Sequence, residues 1–79
     1  MADIEVRYWA GARAAAGVER DRVTATSVAD LVAELSERTP ALVPVLAVSS
    51  LLVDGLVVTR ERALADGEVI EVLPPFAGG

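Results

Sequence analysis

Ser27-Val28-Ala29-Asp30-Leu31-Val32-Ala33-Glu34-Leu35-Ser36-Glu37-Arg38-Thr39-Pro40 is the stretch that organises this chain. Val28, Leu31, Val32 and Leu35 recur at helical spacing and form one apolar stripe, with Glu34, Glu37 and Arg38 on the wet side. Ser27 stands where an N-cap is needed, and Asp30 falls at the third helical position, where the helix field favours an acid. It replaces the longer Glu or Gln of a full capping box. Pro40 stops the helix at or before Thr39. A single amphipathic helix of this length covers one face of a sheet, so the flanking segments are read as strands.

Upstream, Ile4-Glu5-Val6-Arg7-Tyr8 alternates cleanly, with Ile4, Val6 and Tyr8 inward and Trp9 on the opposite face. The Ala-rich run from Ala10 to Ala16 predicts a short helix that Gly17 ends. Arg20 to Ala25 predicts a second strand with Val23 inward, antiparallel to the first because the connection is short. Downstream, Ala41 to Ser49 reads equally as helix or loop, since Leu42, Val45 and Leu46 fit helical turns that Pro44 limits. Leu51-Leu52-Val53, the Asp54-Gly55 turn and Leu56-Val57-Val58 make a hairpin. Leu64 plugs the core from the next loop, Asp66-Gly67 turns, and Val69 to Leu73 is the last strand. Pro74 and Pro75 cannot donate to a ladder and end it.

Two antiparallel pairs joined by a helical crossover suit an α+β domain of the β-grasp, ubiquitin-like type: a mixed sheet of four or five strands under one main helix. In that roll the first and last strands lie parallel and central, a pairing that periodicity alone does not give. Residues 1–73 are expected to form the domain and residues 74–79 a flexible tail.

Composition narrows the chemistry. The 79 residues contain no Cys, His or Lys, and all seven positive charges are Arg. A thiolate, an imidazole base and a side-chain amine are therefore missing, and with them the usual metal sites. The net charge of −5 disfavours nucleic acid and anionic membranes and favours partners with a basic rim. The apolar stretches are short, and no charged segment precedes an apolar block, so the expected location is cytoplasmic. Gly11 and Gly17 lack the neighbours of a phosphate loop, so no cofactor is expected on this chain. Asp54 and Asp66 each precede a glycine and read as turn residues rather than acids or metal ligands.

The end of the chain carries the functional signal. Pro74-Pro75-Phe76-Ala77-Gly78-Gly79 places a stiff proline pair and one aromatic before two residues with no Cβ. Such a tail is slim enough to enter a narrow active site, and from Pro75 it reaches on the order of 15 Å. Phe76 reads either as an anchor at the mouth of a partner's channel or as a ring folded back on its own sheet. Trp9, Leu73 and Leu52 fall on the face away from the main helix, either as a docking patch or under the Ala41–Ser49 segment. Arg7 and Arg13 either meet carboxylates of a partner or pair with Glu5 and Glu71.

Leu64 to Gly79, together with Val6-Arg7-Tyr8-Trp9-Ala10, Arg13 and the Gly-ended Ala run, resembles the small subunit of molybdopterin synthase. That family belongs among the ubiquitin-like sulfur carriers and is related to the thiamin-pathway carrier. The resemblance implies that an activating enzyme adenylates the Gly79 carboxylate with ATP and that sulfur transfer then makes a thiocarboxylate. Gly78, Ala77, Phe76, Pro75 and Pro74 would lie in the partner's channel, with Trp9 and Leu73 docking beside it. It further implies donation of sulfur to a cyclic pyranopterin monophosphate precursor, inside a heterotetramer with the large synthase subunit. The chain would donate sulfur without being catalytic alone. Carriers for cysteine, thiamin or tRNA thiolation share the fold and the Gly-Gly end. A ubiquitin-like protein modifier is a further reading, as is an interaction module whose Gly-Gly end is incidental.

Overall fold

The computed structural model describes residues 2–75. Ala2–Tyr8 is strand β1, and its burial alternates along its length because Ala2, Ile4, Val6 and Tyr8 all face the core. Helix α1, Ala10–Ala16, ends where Gly17 takes φ +79, a left-handed conformation that a residue without Cβ adopts freely. Strand β2, Arg20–Ala25, pairs antiparallel with β1.

Helix α2, Val28–Arg38, has the boundaries its sequence dictates. The Asp30 amide donates to the Ser27 hydroxyl oxygen at 3.2 Å, and the Asp30 carboxylate accepts from the Thr26 amide at 3.0 Å. The shorter acid thus completes a reciprocal cap one residue further out than a Glu would. Val28, Leu31 and Leu35 are fully buried beneath the helix. Each such side chain contributes roughly 1.5–3 kcal/mol by leaving water.

The ambiguous segment resolves as a 3-10 turn, Pro40–Leu42, running into helix α3, Val43–Val48. Pro44 lies in the first turn of α3, where its missing N–H costs nothing. Leu42 and Leu46 enter the core. Strand β3, Ser50–Val53, turns through Asp54-Gly55 into β4, Leu56–Val57. Both turn residues have positive φ, +53 and +77, the pattern whose twist matches a tight hairpin. Strand β5, Val69–Leu73, closes the sheet, and Leu64 is buried as expected.

The strand order is β2-β1-β5-β3-β4, with β5 parallel to β1 and antiparallel to β3. The last strand therefore sits between the two antiparallel pairs, as a β-grasp requires. The core holds aliphatic side chains, Tyr8 and alanines, and among the described residues no polar or charged one is buried. No helix among the described residues is long and apolar enough to cross a membrane.

Candidate docking face and tail root

Alternation leaves one face of the sheet uncovered by the described residues. Arg7 lies opposite Arg20 on β2 and opposite Glu71 on β5; Glu71 lies opposite Leu52 on β3, and Leu52 opposite Val57 on β4. These five residues form one row across the open face, charged at the β2 side and apolar at the β4 side. Val57 is 70% exposed, and Leu52 is half-buried.

Trp9 stands above the row. Its amide extends the parallel ladder by donating to the Val72 carbonyl at 3.2 Å. Its indole N–H donates to the Glu71 carboxylate at 3.0 Å. The ring's polar edge is satisfied, and the rest of it is 46% exposed. The next residue, Ala10, has φ +48, a left-handed conformation that costs a residue with Cβ about 1 kcal/mol. The chain accepts this strain at the corner that turns Trp9 outward. Trp9, Leu52, Glu71 and Leu73 line a shallow depression of about 260 Å³.

Leu73 is the last residue of β5, so Pro74 and Pro75 leave from the rim of that depression. Pro74 is half-buried and Pro75 exposed. Two of the expected docking residues, Trp9 and Leu73, are thus brought together at the root of the tail. Phe76, Ala77, Gly78 and Gly79 lie outside the described residues.

The geometry chooses among the open readings. The Ala41–Ser49 segment does not cover Trp9 and Leu73: Leu42 and Leu46 bury on the helix side of the sheet. Arg7 of β1 pairs with Glu5 at 2.7 Å, as one of the two readings has it, whereas Arg13 of α1 takes Glu19 at 3.0 Å. Glu71 serves Trp9 instead. That contact is invisible in the sequence, because it depends on the β1–β5 register. Val57 and Arg20 were also missed as members of the open face. Alternation in β2 places Arg20 there, once Val23 is taken as inward.

The titratable groups of the face are few. The Glu5 carboxyl is held below its ordinary value, first by its hydrogen bond from Arg7 and then by the nearby charges of Arg7, Arg20 and Arg22, with burial opposing. Behind the sheet, burial pushes the Tyr8 phenol well above its ordinary value, and the Asp21 carboxylate at 3.4 Å adds to this. Asp66 accepts the Asp3 amide at 2.6 Å, and Asp54 sits in the hairpin, so both acids have structural roles. Among the described residues, no three His, Cys, Asp or Glu side chains are grouped to hold a metal.

The family model described as the ThiS family matches residues 6–79, from the first strand to the last glycine. The chain belongs to the ThiS family. The solved structures it matches share its ubiquitin-like β-grasp fold. A putative molybdopterin converting factor subunit 1 from Pyrococcus furiosus is 27% identical, with a TM-score of 0.86 over 95% of this chain and 99% of that one. The small archaeal modifier protein 1 of Methanosarcina acetivorans is also 27% identical, with a TM-score of 0.88 over 100% of this chain and 98% of its own. A complex of subunits 1 and 2 of the molybdopterin-converting factor from Helicobacter pylori matches at 24% identity and a TM-score of 0.74, over 98% of this chain and 99% of that one, and attests the fold. No curated protein sequence matches the chain significantly.

Proposed function

We propose that this ThiS-family chain is the sulfur-carrying small subunit of a molybdopterin synthase. A partner enzyme would use ATP to convert the Gly79 carboxylate to an acyl adenylate, releasing pyrophosphate. A sulfur nucleophile at the oxidation level of sulfide then displaces AMP and leaves a thiocarboxylate. The large synthase subunit receives the tail, and the sulfur passes to a cyclic pyranopterin monophosphate precursor. The absence of Cys restricts the sulfur to the C-terminus, since no side chain of this chain can hold it.

The observation that carries this reading is the apolar depression of Trp9, Leu52 and Leu73, uncovered by the described residues, at the very root of the Pro74-Pro75 lead. A partner that takes in the tail meets an anchoring surface beside its entrance. The Pyrococcus furiosus neighbour and the two-subunit Helicobacter pylori complex support the choice of the molybdopterin pathway. Carriers for cysteine, thiamin or tRNA thiolation would present the same end, and co-purification with the large synthase subunit distinguishes the first reading from them.

The test is the intact mass of the protein after incubation with an activating enzyme, ATP and a sulfur donor. Exchange of one oxygen for sulfur adds about 16 Da. No gain with a competent activating enzyme overturns the carrier reading. The Methanosarcina acetivorans neighbour favours a second reading, attachment of Gly79 to a lysine of a target protein. That reaction would appear as larger adducts that survive reducing agent.

A further inference from the structure

The open face carries more guanidinium charge than its own ion pairs neutralise. Arg7 and Arg20 are direct cross-strand partners on β1 and β2. Like charges placed so are destabilising. Arg7 is partly relieved by Glu5 along its own strand, at 2.7 Å. Arg22 takes Asp3 at 2.8 Å and Arg13 takes Glu19 at 3.0 Å. Arg20 makes no ion pair among the described residues, and the Glu5 carboxylate diagonal to it is already taken by Arg7. Glu71, the acid directly across from Arg7 on β5, is held by the Trp9 indole instead.

Arg7, Arg13, Arg20, Glu19, Tyr8 and Trp9 line a second shallow concavity of about 150 Å³. Three guanidinium groups there face one carboxylate, on a molecule whose net charge is −5. Trp9 borders this concavity on one side and the apolar depression at the tail root on the other. Any protein seated on the apolar side therefore approaches the arginine side across a single indole ring.

We propose that Arg7 and Arg20 form a carboxylate-receiving clamp, taking an Asp or Glu side chain of the protein partner that seats on the Trp9–Leu73 depression. This rests on the docking reading above and adds the chemistry that the partner presents. A carboxylate between the two guanidinium groups turns their repulsion into paired charge-assisted hydrogen bonds. The clamp also sets orientation: the acid must lie on the β2 side of the ring while the tail leaves from the β5 side.

The experiment measures affinity of the purified large synthase subunit for the full chain and for the Arg20→Leu, Arg20→Glu, Arg20→Lys and Trp9→Ala variants, at low and high salt, with melting temperatures recorded. Arg20→Leu is expected to weaken binding about tenfold and Arg20→Glu more, with reduced salt dependence and an unchanged or raised melting temperature. Arg20→Lys is expected to recover most of the loss. Stability rising while affinity falls is the signature of an interfacial rather than a structural residue. Unchanged affinity in Arg20→Leu and Arg20→Glu, with Trp9→Ala still weakening binding, overturns the clamp and leaves the docking face standing. A wild-type chain that does not bind overturns both.

Discussion

Arg62 holds Glu68 through two parallel hydrogen bonds of 2.8 and 2.9 Å, and the same carboxylate accepts the Ala65 amide at 2.9 Å. This closes the loop between β4 and β5 against the start of α2. The carbonyls of Arg62 and Arg60 then accept the first helical amides, from Val28 at 3.0 Å and Ala29 at 2.8 Å. Amides that lack partners inside the helix are met by a loop more than thirty residues away in sequence. The main helix is thus fastened to the sheet at its N-terminus as well as along its buried stripe.

The pair gives the fold a pH dependence. The Arg62 hydrogen bond, with the Ala65 amide adding to it, draws the Glu68 carboxyl down from 4.5 to about 2. A carboxyl whose value falls on folding stabilises above its unfolded value, and that contribution disappears as pH drops through the folded value. Glu68→Gln is expected to melt at lower temperature than the wild type near neutrality. The gap should close between about pH 4.5 and pH 2. Thermal melts across that range check it, and a gap constant with pH would exclude the charged pair as its source.

Two glycines should respond in opposite directions to the same change. Gly11 lies within α1, its φ is ordinary, and an added Cβ would meet nothing within 4 Å. Gly11→Ala is expected to stabilise by about 0.5–1 kcal/mol, because alanine favours the helix and restricts the unfolded chain. Gly55 has equal room, but its φ is +77. Gly55→Ala is expected to cost about 1 kcal/mol or more. Denaturant titration of both variants measures the contrast, and equal effects would contradict the hairpin geometry.

Trp9→Ala removes a half-exposed ring with one hydrogen bond to Glu71. The expected stability loss is modest, about 1 kcal/mol, well below the roughly 3–5 kcal/mol of a buried aromatic. The expected loss of partner affinity is larger, since exposed aromatics that become buried carry much of an interface. Paired calorimetry of unfolding and of binding separates the two, and a large drop in melting temperature would mark Trp9 as structural.

The tail admits a test that leaves the domain alone. A residue added after Gly79 is expected to abolish sulfur loading, because the reacting carboxylate is displaced from its register. The melting temperature should not change. Phe76→Ala is expected to weaken partner binding, also without loss of stability. Full loading of the extended chain would refute the terminal-carboxylate mechanism, and unchanged affinity would remove Phe76 from the interface.

Much of the fold was legible where a segment's pattern answers to its own period. β2 spans Arg20–Ala25 and α2 spans Val28–Arg38, as the alternation, cap and proline dictate. The segment after Pro40 has no legible period, because the six residues of α3 are too few for one to show. The pairing of β1 with β5 follows from the fold type and not from pattern, since register depends on residues far apart in sequence. Trp9 and Leu73 were identifiable as outward apolar residues. The Trp9–Glu71 bond and the Arg7–Arg20 opposition were not, because each depends on a register between strands.

Strand β5 is also the keystone of assembly on the ribosome. A nascent chain that has not yet released Val69–Leu73 holds two disconnected ribbons, β2-β1 and β3-β4, with nothing to bridge them. Closure of the sheet awaits the entry of β5 between them. A chain that stops before Val69 would therefore lack the only strand that pairs with both ribbons among the described residues.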